Sequence, residues 1–258
     1  MSDLLQKEIR KYHIMSYTQV RGCGSHGRRC LWDICGKTSL RWVLEAVTGS
    51  RYIDKVVVTT EDEEIAKEAE KVGATVVVRP FYTSADFPRD FERGTFGRIK
   101  PRSLIHTKPE VYTNPKSYTL YYLEKTGYVP DLILTADANR PMITPELVDR
   151  VIEAFFQDRE ATAATTFYPI LPYIYVLNPK VNRIVPLFTT KFDRQEALPL
   201  YGNGPLTLEG LPSYSSSQGL KVAPVFITRE EGLDMHDEED LFLARVYMKR
   251  RLEKAKEA

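Results

Sequence analysis

At 258 residues, 43% hydrophobic and 28% charged, the chain is long and apolar enough for one large α/β domain and too well mixed for wholesale disorder. Its 36 Lys plus Arg against 35 Asp plus Glu leave a formal net charge of +1, which offers no electrostatic footprint for nonspecific binding to nucleic acid. No apolar run approaches the roughly 18 residues of a membrane span; the opening MSDLLQKEIRKYH lacks a signal-peptide core, and three cysteines crowded into 23–35 make no secreted disulfide framework, so the expected setting is the cytoplasm.

Taken in chain order, residues 13–20 (HIMSYTQV) read as the first strand, followed by a loop, RGCGSHGRR. A helix starts near Thr38, with Leu40, Val43, Leu44 and Val47 on one face. Residues 55–60 (KVVVTT) suit a buried parallel strand, the acidic-fronted EDEEIAKEAEKVGA a helix stopped at Gly73, and 75–78 (TVVV) the next strand. A strand at 131–135 and a helix N-capped by Thr144, with Pro145 in its first turn, resume the rhythm, and 161–167 adds a strand. The expected fold is therefore α/β, a doubly wound, mostly parallel sheet flanked by helices, in a single domain over 1–258.

Two stretches break this rhythm. Residues 81–116 form a basic insertion with little periodicity, either a substrate lid or a solvated loop. Residues 168–220 hold two short strand-like runs, YIYVLN and RIVPLF, and read as an antiparallel arm of the kind used in dimer contacts. VAPVFI then returns to strand character, and DEEDLFLARVYMKRRLEKAK closes the chain as a helix capped by Asp237, with Asp240 in its first turn.

The chemistry-bearing candidates lie in the connections. In the first loop, Gly22, Gly24 and Gly27 let backbone N–H groups approach a phosphate, Ser25 adds a hydroxyl, and Arg21, Arg28, Arg29 and Lys37 bring positive charge. The spacing is not that of a P-loop. Asp137, at the end of a strand in TADANRP, is placed to hold Mg²⁺, although a capping Asp is equally common there. In LDMHDEED, Asp234 and His236 alternate on one side of an extended segment, or form part of an ordinary acidic helix start. Cys23, Cys30 and Cys35 lack the paired spacing of common zinc or iron–sulfur sites, and small buried residues are the simpler account. His13 and His106 have no partner pattern.

In their order, these segments resemble the acidic-sugar cytidylyltransferases, the CMP-sialic acid and CMP-KDO synthetases. VRGCGSHGRRCLWDICGKTSLRWVLEA is similar to that family's nucleotide loop and first helix, and IDKVVVTTEDEEIAKEAEKVGATVVVRP to its second unit. FDRQEALPLYGNG is similar to a segment of the sialic acid branch, and LDMHDEEDLFLA to the closing D-x-D motif, with His236 in place of the second Asp. TADANRP lies nearer the DAARP segment of the methylerythritol phosphate cytidylyltransferases.

The resemblance implies a nucleotidyltransferase, GT-A-like fold and an enzyme that binds CTP. An acceptor hydroxyl would attack the α-phosphate, and pyrophosphate would leave with Mg²⁺. It implies phosphate contacts from Arg21, Gly22, Gly24, Ser25, Arg28 and Arg29, catalytic roles for Arg29, Lys37 and Asp137, and metal binding by Asp137, Asp234 and His236. Arg194 and Gln195 would face a small acidic acceptor, and the arm would make a homodimer. The alternatives are a phosphorylated or phosphonate acceptor, another nucleoside triphosphate, or an inactive nucleotide-binding homologue, since His236 is a poor partner for a hard cation.

Overall fold

The computed structural model describes residues 3–22, 28–78, 115–170, 175–178, 183–186, 200–210 and 221–257. At its centre is a seven-stranded sheet in the order β11 (Val222–Phe226), β7 (Ala163–Ile170), β10 (Leu200–Gly210), β6 (Leu132–Ala136), β1 (Ile14–Gln19), β4 (Lys55–Thr60), β5 (Thr75–Val78). Strands β1, β4, β5 and β6 are mutually parallel, as the β-branched runs and the intervening helices predict. Strands β7 and β11 run the same way, and β10 lies antiparallel between β6 and β7.

The helices form where the sequence signals them. Thr38 caps α2 (Ser39–Thr48) by accepting from the Arg41 N–H, Asp62 caps α3 (Glu63–Glu70), and Thr144 caps α5 (Pro145–Gln157), each satisfying N–H groups that a helix start leaves unpaired. The expected face of α2 is fully buried: Leu40, Val43, Leu44 and Val47 contribute to a core shared with α1 (Asp3–Ile9), α3, α5 and one face of the sheet. Helix α4 (Pro115–Lys125) covers part of the other face, over Met15, Tyr17, Val57, Val77 and Ile133. The doubly wound expectation is borne out. The closing helix α6 (Glu238–Glu257) packs Ala244 and Met248 against Ile34, Met142 and Met235, beside the small β2–β3 hairpin (Asp33–Ile34, Lys37–Thr38).

The structure differs from the sequence reading at three elements. Helices α1 and α4 are present without a start signal that distinguishes them from loop. The third difference is β10, whose residues fall inside the stretch read as an arm. Gly202, Gly204 and Pro205 disguise it, because such residues ordinarily interrupt strands. Here Gly204 and Pro205 sit where the register with β7 shifts, between Asn203 and Thr207, and Gly202 stands just before it, paired with Tyr168. A Cβ on Gly204 would come within 2.4 Å of the Thr166 hydroxyl, so only glycine permits this close approach. Of the arm itself, β8 (Tyr175–Asn178) and β9 (Arg183–Pro186) pair as the expected antiparallel hairpin. Nearly all of the basic insertion lies outside the described residues.

Candidate functional site at the carboxyl edge of the sheet

The strand order reverses between β1 and β6: the chain moves from β1 outward to β4 and β5, then returns to the other side. Open α/β sheets bind ligands at such a switch point, beyond the carboxyl ends of the strands. The loop after β1, the turn after β6 and the segment before α6 all leave the sheet at that edge.

The ends of the first loop are held by the acidic start of α3. The Gly22 N–H donates to Glu61 Oε1 at 2.8 Å, and a Cβ on Gly22 would lie 2.3 Å from Asp62 Cβ, so the chain passes here only as glycine. Arg28 adopts a left-handed conformation (φ 35°) and pairs with Asp62 at 3.0 Å and with Glu64. Arg21 is exposed. Gly24 and Ser25 lie outside the described residues, as do Cys23, His26 and Gly27. Lys37 is engaged locally: it pairs with Glu45 on α2 and sits 4.3 Å over the Trp42 ring. Burial would raise the pKa of Glu45, but its bonds to Lys37 and Arg41 outweigh that and hold it below the usual range.

Arg29 opens a single 3-10 turn (Arg29–Leu31) and reaches the segment before α6. Its Nη1 lies 2.7 Å from His236 Nδ1 and 3.2 Å from the Met235 carbonyl. A guanidinium can only donate, so Nδ1 accepts and the His236 proton resides on Nε2, 3.0 Å from Asp234 Oδ2. Both ring nitrogens of His236 therefore have protein partners. Asp234 also accepts from the Asn139 side-chain amide and forms an ion pair with Arg140 Nη2 at 2.9 Å.

Arg140 ties these pieces to Asp137. It is 9% exposed and donates from Nη1 to the Asn203 and Gly232 carbonyls at 3.2 and 3.1 Å. Its Nε lies 3.3 Å from Asp137 Oδ2 but makes no hydrogen bond among the described residues, so this contact is Coulombic. The Asp137 side chain is half-exposed, yet protein crowds its carboxyl. Burial raises its pKa, Arg140 opposes that rise, and Asp234 adds to it, with a net shift upward.

The structure thus brings Arg29, Asp137, Asp234 and His236 into one network and leaves Lys37 in a separate pair. Arg194 and Gln195 lie outside the described residues. Sequence reasoning missed Asn139 and Arg140, although a signal was visible: a cation three residues after an Asp, directly after a strand, invites the question of what it pairs with. Among the described residues no three His, Cys, Asp or Glu side chains converge as a metal-binding group. A triphosphate-bound Mg²⁺ does not require one, since it keeps waters and phosphate oxygens and takes one or two carboxylates from protein. Cys30 is buried and Cys35 exposed, and both are free thiols. His13 pairs with Asp54 at 2.8 Å next to the amino end of β1, away from this edge.

A sequence model of the cytidylyltransferase family matches residues 29–92. The 3-deoxy-manno-octulosonate cytidylyltransferase of Bdellovibrio bacteriovorus is 25% identical over 140 residues, 54% of this chain and 44% of that protein. The protein of the same name from Psychrobacter cryohalolentis is 26% identical over 168 residues, 65% of this chain and 52% of that protein. The chain thus spans about half the length of the curated relatives it matches. In fold it is similar to a CMP:2-keto-3-deoxy-manno-octonic acid synthetase complexed with CTP, with TM-score 0.61 and 13% identity over 93% of this chain and 99% of that one. The 4-diphosphocytidyl-2C-methyl-D-erythritol synthase of Anaerococcus prevotii superposes with TM-score 0.60 and 16% identity, over 96% of this chain and 100% of that one. The likeness expected from the motifs is present, in sequence to cytidylyltransferases over part of the chain and in fold to the two synthetases.

Proposed function

We propose that this chain is a CTP-dependent cytidylyltransferase that transfers CMP to an acidic sugar and releases pyrophosphate. The observation that carries the reading is the Arg29–His236–Asp234–Arg140–Asp137 network at the switch point, beside the glycine- and arginine-rich loop. The acceptor hydroxyl attacks the α-phosphate, the bond to the β-phosphate oxygen breaks, and pyrophosphate leaves. Arg28 and Arg29 are placed at the loop to meet the charge of the triphosphate, and fixed cations and N–H donors are what such a transition state needs. Arg28 exchanges its carboxylate partners for phosphate oxygens when the nucleotide enters.

Asp137 and Asp234 offer hard oxygen donors that fit Mg²⁺, and that ion would supply charge neutralisation at the phosphates. His236, with both nitrogens engaged, acts in this reading as the link between Arg29 and Asp234 rather than as a ligand. The relatives bear names of enzymes for an acidic sugar, which supports an acidic acceptor. We further take the chain to be one domain, a homodimer formed through the β8–β9 arm, and cytoplasmic, where CTP is available and thiols such as Cys30 and Cys35 stay free. Among the described residues no helix is long and apolar enough to cross a membrane.

The test is thermal stabilisation by CTP, ATP, GTP and UTP, each with and without Mg²⁺, followed by pyrophosphate release with 3-deoxy-manno-octulosonate, sialic acid and phosphorylated polyols. A ligand bound only by the folded state raises the melting temperature with its concentration. Selective stabilisation by CTP plus Mg²⁺ and release with a sugar acid support the proposal. Stabilisation by another triphosphate, or release only with a phosphorylated acceptor, would overturn the corresponding half of it.

A further inference from the structure

The face of the sheet opposite the main core changes character from one side to the other. Under α4 it is apolar, with Val77, Val57, Met15 and Ile133 buried. Beyond α4 it becomes a row of hydroxyls. Thr135 on β6 is in register with Thr207 on β10, and Thr207 with Thr165 on β7, while Tyr17 on β1, in register with Thr135, is buried under α4 at the boundary. Residues in register share a face, so three adjacent strands present these threonines side by side. The Asp137 N–H donates to the Pro205 carbonyl at 3.2 Å, extending the ladder past β6. By the period of two, Asp137 therefore stands on the same face as Thr135, one step nearer the carboxyl edge.

Lys116, in the first turn of α4, closes the row from below. It forms an ion pair with Glu209, which faces the same side two residues along β10 from Thr207 and is 7% exposed. Its Nζ also reaches Thr135 Oγ1 at 3.4 Å. The Thr165 and Thr207 hydroxyls likewise meet only at 3.4 Å. Hydroxyl–hydroxyl hydrogen bonds cluster near 2.7–2.8 Å, as a general rule, so Thr165 and Thr207 hold each other weakly. The opposite face of the same strands packs Leu134, Leu206, Leu208 and Ala164 into the main core, with Ser16, Thr18 and Thr166 buried among them. Polar groups are costly at a sheet face unless something satisfies them.

We propose that this row is the acceptor subsite: the Lys116 ammonium, braced by Glu209, pairs with the carboxylate of a polyhydroxylated acid, and Thr135 and Thr207 bond its hydroxyls. The acceptor then lies along the sheet with one end at Asp137, where the nucleotide's phosphates arrive. This rests on the cytidylyltransferase reading for the reaction but not for the binding, which can be measured alone.

The experiment compares full-length wild type with Thr207→Val, Lys116→Met and Lys116→Arg. Valine is isosteric with threonine and suits a strand, so the first variant keeps the fold, and far-UV circular dichroism checks it for all. The probes are 3-deoxy-manno-octulosonate and the uncharged hexose mannose, titrated calorimetrically without nucleotide, and CTP-induced thermal shifts and pyrophosphate release with Mg²⁺ are recorded in parallel. Thr207→Val and Lys116→Met are expected to weaken binding of the sugar acid at least tenfold, with Lys116→Arg recovering part of the loss and the CTP shift unchanged. Unaltered affinity in folded Thr207→Val and Lys116→Met, no binding of the sugar acid by wild type, or a CTP shift that falls in step would overturn the subsite. Binding of the sugar acid that depends on Lys116, with no pyrophosphate released, would instead leave the subsite standing and remove the transferase reading.

Discussion

Arg140 is the residue whose removal most directly tests the architecture of the edge. Its guanidinium is 9% exposed and serves Asp234 at 2.9 Å, Asp137 at 3.3 Å and two backbone carbonyls, so Arg140→Ala removes four contacts at once. Breaking a buried charge pair by deleting one partner costs about 3–5 kcal/mol. The lower end applies here, because the Asp137 and Asp234 side chains are 46% and 25% exposed and water can take over part of the role of Arg140. A loss of about 3 kcal/mol corresponds to a fall of about 6–12 °C in melting temperature for a protein of this size. Arg140→Lys keeps the charge but not the planar fork, and cannot reach both carboxylates and both carbonyls, so an intermediate loss of about 1–2 kcal/mol is expected. Urea unfolding at pH 7 without nucleotide, followed by far-UV circular dichroism, measures both variants. An Arg140→Ala protein within 1 kcal/mol of wild type would refute the view that this arginine organises the edge.

Asp137→Asn is expected to stabilise the ligand-free protein at neutral pH while abolishing stabilisation by CTP with Mg²⁺. Burial, with Asp234 adding to it, raises the folded pKa of Asp137, so its contribution to stability is full below the unfolded value near 3.8 and is lost as pH rises through the folded value. The advantage of the variant should therefore shrink as pH is lowered toward 4 in melting experiments, and an advantage that grows on acidification would contradict the assignment. His236→Ala is expected to weaken CTP binding about tenfold, whereas His236→Gln, which can accept from Arg29 and donate to Asp234, should retain most of it. Equal losses in the two variants, read by titration with CTP, would show that His236 does more than link these residues. Cys30, its thiol pushed up to about 12 by burial with Asp62 adding to it, should resist iodoacetamide at pH 8 in the native protein, while exposed Cys35 is alkylated. Mass spectrometry of fragments separates the two, and fast labelling of Cys30 would argue against the packing of the 3-10 turn.

How far the sequence determines this protein depends on the range of the interactions involved. The strands β1, β4, β5 and β6 and the helices α2, α3 and α5 were legible because their signals are local: β-branched runs, an apolar face at helical spacing, acidic residues opening α3, and Thr144 as a cap. Asp137 and Asp234 could be singled out because a carboxylate directly after a strand, or before a helix, stands out from its neighbours. What the sequence could not show was that residues 95 apart in the chain, Asn139 and Asp234, or 207 apart, Arg29 and His236, would share hydrogen bonds. Nor could it show that Thr135, Thr207 and Thr165 would align, because each threonine alone is an ordinary strand residue and only strand order and register make them a row. The place of β10 between β6 and β7 is likewise a tertiary decision. Its glycines and Pro205 argue against a strand locally, and it is fixed there by close packing against Tyr168 and Thr166 that no other residues would permit.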